Sequence, residues 1–150
     1  MITASAPRLR LCITLLIVNL AFIWGNSLMP GSVSGAFSDW VKGIVLAVFP
    51  GFGSGSSGGG GFLLRKIAHF TEFCCLGMCL SWLFRMLLSA PVWWFAAPLL
   101  SGFLAACADE TIQRFIPGRG PSLRDVGIDT LGVTLGILLI ALFYGISKRK

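Results

Sequence analysis

Long apolar runs leave this chain few folds to choose from. A bilayer core of about 30 Å is crossed by a helix of about 20 apolar residues, and four segments meet or approach that length. They run from Leu11 to about Leu28, from about Ile67 to Leu88, from Val92 to Ala108 and from Leu123 to Ile146; the third continues in helical register to about Arg114. Charged residues make up 12% of the chain, against about 25% in a soluble domain. With 55% apolar residues the chain has surface it must bury, which excludes disorder. Its 5 cysteines are odd in number and lie in apolar runs, which excludes a disulfide-stapled secreted domain. The 150 residues suffice for one domain. The reading is an all-α polytopic membrane protein.

The first apolar run, flanked by Arg8 and Arg10, is longer than the core of a signal peptide, and Ser34-Gly35-Ala36 is only a loose cleavage site. An uncleaved helix is expected. Met29 to Gly35 reads as an exit turn around Pro30-Gly31. Ser38 then reads as the N-cap of a short helix from Asp39 to Phe49, in which Val41, Ile44, Val45 and Val48 recur at helical spacing. With Trp40 at its start, that helix suits the membrane interface, a partly re-entrant segment being the alternative. Residues 50–61 read as a glycine-serine tether. They contain Gly53-Ser54-Gly55-Ser56-Ser57-Gly58, a formal GxGxxG, but no strand precedes it and no Gly-Lys-Ser/Thr follows, so neither dinucleotide nor P-loop chemistry is expected.

Four spans place both termini on one side. Arg8, Arg10, Arg85, Lys148, Arg149 and Lys150 fall there; Lys42, Arg65, Lys66, Arg114, Arg119 and Arg124 fall on the other, so the basic residues alone give a tie. All 6 acids (Asp39, Glu72, Asp109, Glu110, Asp125 and Asp129) lie away from the termini. One face therefore carries the whole net charge of +6 and the other compensates itself. Uncompensated basic flanks suit the cytoplasm, which places both termini inside. Trp24 and Trp40 on one face, and Trp82, Trp93 and Trp94 on the other, suit interface anchors. The basic pI of about 9.5 reflects the flanks and anionic lipid; nothing resembles a nucleic-acid module.

Ionisable groups in or beside spans are costly and usually face inward. Lys66, His69 and Glu72 share one helix face at i, i+3, i+6. His69 is the only histidine; its ordinary pKa suits proton transfer, and Glu72 could orient it, although an interfacial histidine bonded to Glu72 or a carbonyl would look the same. Asp109, Glu110, Gln113 and Arg114 fall in one helix end, closed by Pro117-Gly118. Arg119 on the turn offers a planar guanidinium for a carboxylate or phosphate. Asp109 and Arg114 read as solvated helix-end charges, and Glu110 as a partner for Arg119 or Arg114. Ser122-Leu123-Arg124-Asp125 fits a capping box, with Asp125 returning the bond. Asp129, one turn deeper, is expected to meet Lys66, Arg119 or His69. Gly132 and Gly136 suit close packing inside the bundle. Cys12, Cys74, Cys75, Cys79 and Cys107 read as small packing residues.

The string Arg65-Lys66-x-x-His69-Phe70-x-Glu72-Phe73, then Asp109-Glu110-x-x-Gln113-x-Phe115-x-Pro117-Gly118-Arg119, then Asp125-x-x-x-Asp129-x-x-Gly132-x-x-x-Gly136 resembles the VanZ-like family of bacterial membrane proteins. Ser27-Leu28-Met29-Pro30 fits it more loosely. The resemblance implies a small helical bundle in the bacterial inner membrane, and a founding member associated with low-level teicoplanin resistance. The family pattern carries over to Lys66, His69, Glu72, Glu110, Gln113, Arg119 and Asp125; Asp129 departs from it, Asn being expected there.

Three readings follow. In the first, a polar pocket outside the cytoplasm binds an anionic or lipid-linked envelope component through Lys66 and Arg119, with Glu110, Gln113, Asp125 and Asp129 around them. No cofactor is needed, and membrane lipids and a lipid-linked precursor are the partners. In the second, an intramembrane hydrolase or transferase acts on a lipid-linked phosphate or sugar, with His69, Glu72 and Glu110 (or Asp129) in acid-base roles. A divalent metal on Glu72, Glu110, Asp125 and Asp129 fits that reading, since oxygen donors suit Mg²⁺ or Mn²⁺. The membrane acid-phosphatase route is closed, since Pro121-Ser122-Leu123-Arg124 is no PSGH motif and a second histidine is missing. In the third, the charges only neutralise one another and fasten loop to bundle.

Overall fold

The computed structural model describes residues 5–48 and 60–147. Five helices make up its regular structure: α1 (Ala6–Ser27), α2 (Gly31–Val48), α3 (Gly60–Leu87), α4 (Trp93–Gln113) and α5 (Leu123–Ser147). There is no strand among the described residues. Four helices are long and apolar enough to cross a membrane: Ala6–Ser27, Leu64–Leu87, Trp93–Gln113 and Leu123–Ser147. The chain is a multi-pass membrane protein.

Local chemistry sets the helix ends. Pro7 stands in the first turn of α1, where its fixed φ suits a helix and its missing N–H costs nothing. The turn after α1 is shorter than the sequence suggests. The Pro30 carbonyl accepts from the amides of both Val33 and Ser34 at 3.0 Å, so α2 starts at Gly31, two turns before Asp39. Ser38 is therefore interior to α2, not its N-cap; its Oγ donates to the Ser34 carbonyl at 2.9 Å. Of the tether at 50–61, residues 50–59 lie outside the described residues, while Gly60 and Gly61 belong to α3.

Close contact of α3 with α5 organises the bundle. A Cβ on Gly136 would stand 2.1 Å from the Cys74 carbonyl, one on Gly132 would stand 2.5 Å from that of Phe70, and one on Gly77 would stand 2.2 Å from that of Val133. Only hydrogen fits at these crossings, so the Gly132-x-x-x-Gly136 pair is a packing seam within the chain. α4 lays Gly102 against the Val133 side chain. Ile23, Phe73, Leu76, Val133 and Ile137 are fully or almost fully buried in a core shared by α1, α3, α4 and α5. The outer surface is the reverse of a soluble protein's: Ile17, Phe22, Leu104, Leu131 and Leu142 all stand exposed, a solvent match only for hydrocarbon. Thr71, Thr111, Thr130 and Thr134 each donate to the carbonyl four residues back, at 2.7–2.8 Å, so their hydroxyls are satisfied within the helix. α2 packs against α3 and exposes Phe37 and Trp40, stacked with centroids 5.9 Å apart.

Candidate functional site

The C-terminal ends of α1 and α4 and the N-terminal ends of α3 and α5 meet at one end of the bundle, and the polar residues of the spans gather there. Lys66 forms an ion pair with Asp125, joining α3 to α5. Glu110 accepts from the backbone N–H of Ser122 at 2.8 Å. Half of the expected capping box is thus present, since Ser122 Oγ accepts from the Arg124 amide at 3.2 Å. The returning carboxylate comes from α4, because Asp125 is drawn away to Lys66.

Gln113 is the hinge of a buried network. Its Nε2 donates to Asp109 Oδ2 at 2.8 Å and to Ser27 Oγ at 3.1 Å. Asp109 is fully buried, where a solvated helix-end charge was expected. The reason is register: Gly102, Ala106, Asp109 and Gln113 form one buried stripe of α4, and the helix carries that stripe past the apolar run. His69 Nδ1 lies 4.0 Å from Asp109 Oδ2. Asp129, 1% exposed, completes a group in which one ligand-capable atom each of His69, Asp109 and Asp129 lie within 4.8 Å of one another.

Glu72 turns away to α1, where its Oε1 accepts from Asn26 Nδ2 at 3.0 Å. The carboxylates that face His69 are those of Asp109 and Asp129, so the imidazole stands with neither Glu72 nor Glu110 as its nearest acid. Arg119 fastens the α4–α5 loop to the end of α1: Nη2 donates to the Asn26 carbonyl at 2.7 Å and Nε to that of Met29 at 3.2 Å. A cation on the last carbonyls of a helix also meets the negative end of its dipole. The loop is held a second time where the Gly31 amide donates to the Pro117 carbonyl at 3.0 Å, and the left-handed Gly118 (φ 75°) leaves room for it. Burial pulls the Arg119 guanidinium below its ordinary pKa, and Arg65 adds to that, while Asp109, Glu110 and Glu72 oppose it.

Between these groups lies a pocket of about 40 Å³. Arg65, Lys66, His69, Glu110, Gln113, Arg119, Asp125 and Asp129 reach its wall. The structure thus brings Lys66, His69, Glu110, Gln113, Arg119, Asp125 and Asp129 to one cavity and leaves Glu72 one turn below it. Sequence reasoning missed Asn26, met Ser27 only in the looser part of the family likeness, and read Asp109 as a solvated helix-end charge. Their signal is there: Asn19 and Asn26 are polar residues at i, i+7 in an otherwise apolar span, on the side that buries Ile23.

The family model described as VanZ/LLP1 matches residues 11–144, which includes every residue of this polar end. The chain belongs to the VanZ/LLP1 family. No curated protein and no solved structure shows significant similarity to it. In this VanZ/LLP1 protein the separated polar motifs converge on one cavity at one end of the bundle.

Proposed function

We propose that this VanZ/LLP1 protein is a cell-envelope protein of the bacterial inner membrane that binds the phosphate or other anionic group of a lipid-linked envelope component in the polar pocket, and that this binding underlies a teicoplanin-type resistance. The carrying observation is the way Arg119 is held. Both of its acceptors are neutral carbonyls, so these bonds fix the guanidinium and leave its charge at the pocket wall. Arg65 and Lys66 reach the same wall. A volume of about 40 Å³ is room for about three waters, and a phosphate-sized group fits it. The pocket opens at an end of the spans, where a lipid headgroup resides. The enzyme reading has less support, since two of its three residues, Glu72 and Glu110, are engaged in holding Asn26 and Ser122.

The test is growth under teicoplanin of a susceptible host lacking related genes, expressing wild type or Arg119→Gln, with the amount of monodisperse protein measured in parallel. Wild type raises the tolerated concentration, and Arg119→Gln loses that gain when expression is adjusted to equal amounts of monodisperse protein. Native mass spectrometry of the same preparations follows a retained anionic lipid, present in wild type and depleted in the variant. Protection by Arg119→Gln equal to wild type, with equal lipid retention, overturns the proposal.

A further inference from the structure

The deepest part of the cluster does something the anion pocket does not require. Asp129 is 1% exposed, and both of its carboxylate oxygens are without a hydrogen-bond partner among the described residues. A buried carboxylate without donors is among the most costly groups a protein can hold, unless a cation or a proton satisfies it. It does not stand alone, because Asp109 (fully buried) and His69 offer ligand atoms within 4.8 Å of its own. We propose that His69, Asp109 and Asp129 form a divalent-cation site.

The donor set fits that chemistry. Two carboxylates and one imidazole supply two negative charges and a neutral nitrogen, a mixed oxygen and nitrogen set that suits a divalent first-row ion such as Mn²⁺. Opposite ligands about 2.1 Å from an ion are about 4.2 Å apart, close to the 4.0 Å between His69 Nδ1 and Asp109 Oδ2. Helix packing supplies the ligands from three directions, α3, α4 and α5. The supporting shell is present too: Gln113 holds Asp109 Oδ2, and Ser27 in turn accepts from Gln113. An entry path exists because His69 and Asp129 both reach the wall of the pocket. Water entering by the same path can complete the coordination. The site is independent of the anion reading, since it needs neither Arg119 nor Lys66.

Mn²⁺ alone is the probe. The full chain, purified in detergent with a tag free of histidine and stripped with chelator, is titrated with Mn²⁺ and followed by electron paramagnetic resonance. One Mn²⁺ per chain is expected, with a ¹⁴N coupling in the pulsed spectrum. The chain has 1 histidine, so a coupling of the imidazole type, lost in His69→Gln, can come only from His69. Asp129→Asn, nearly isosteric, weakens binding at least about tenfold, the lower end of what even supporting-shell changes cost a metal site. Glu72→Gln leaves it unchanged. If Asp129→Asn fails to accumulate, the ¹⁴N coupling of the wild type decides by itself. A folded wild type that takes up no Mn²⁺ at millimolar concentration, or that binds it without the nitrogen coupling, overturns the site.

Discussion

Arg119 shows how one side chain can fasten three parts of a membrane fold. Its fork reaches two carbonyls at the end of α1 from a loop that joins α4 to α5. Lysine carries the charge but not the fork. Arg119→Lys is therefore expected to lower stability by about 1–3 kcal/mol, the scale of a lost hydrogen bond to a charged group, measured as a fall in the unfolding midpoint of the detergent-solubilised protein. The Lys66–Asp125 pair makes a second prediction. Its side chains are 19% and 30% exposed, so removing Lys66 takes from Asp125 the cation that compensates a partly desolvated carboxylate. Lys66→Met and Asp125→Asn should each destabilise, and the double variant should lose less than their sum, with a coupling of about 1–2 kcal/mol. Additive effects would mean that the pair is not an energetic unit. At this scale the sequence was legible wherever a charge stood beside an apolar run: Lys66, His69, Glu110, Arg119 and Asp129 all reach one cavity. Asp109 misled because its surroundings in sequence are polar, while its surroundings in space are set by the stripe from Gly102. A neighbour four residues away, Gln113, decides its environment more than the adjacent Glu110 does.

Helix spans were readable because hydrocarbon demands length and apolarity, both of which a sequence displays directly. Helix starts were less so. The onset of α2 depends on the Pro30 carbonyl, and no residue type marks a carbonyl. The contribution of Glu110 to the start of α5 depends on a tertiary contact that the Ser122-x-x-Asp125 spacing imitates locally. Packing of α3 on α5 gives a sharp prediction, because the same substitution can be placed where it collides and where it does not. Gly136→Ala sets a methyl 2.1 Å from the Cys74 carbonyl, whereas the Cβ positions of Gly127 and Gly145, on the same helix, have nothing within 4 Å. Gly136→Ala should force the two helices apart and cost about 1–3 kcal/mol or more, as overpacking does. Gly127→Ala and Gly145→Ala should be neutral or stabilise by up to about 1 kcal/mol through helix propensity. Thermal unfolding in detergent separates the two classes, and equal midpoints would refute the close crossing.

Charge asymmetry governs the molecule as a whole. By their order along the four spans, the 12 basic residues divide evenly between the two sides, while all 6 acids fall on the side away from the termini, so the sequence leaves only the side of the termini positive. The structure gives the compensation a physical form: Asp125 holds Lys66, Glu110 holds a backbone amide and Arg119 caps α1, so the polar end is a built site rather than a loose fringe of charge. Positive flanks are retained on the cytoplasmic side, and the proposed binding of an envelope component would be of use only on the other. We propose from these two considerations an orientation with the termini inside and the α4–α5 loop outside. Gly120 is the position at which to test it, since it is exposed and a side chain there meets nothing within 4 Å. In intact cells, Gly120→Cys should react with a membrane-impermeant maleimide well above the background of the parent protein, whose five described cysteines lie within spans. Green fluorescent protein fused after Lys150 should fluoresce, and alkaline phosphatase fused there should be inactive. The opposite pattern would turn the pocket toward the cytoplasm. Arg119, Lys66 and the His69–Asp109–Asp129 group would keep their geometry, but the anion and cation proposed for them would have to come from the inner leaflet or the cytosol.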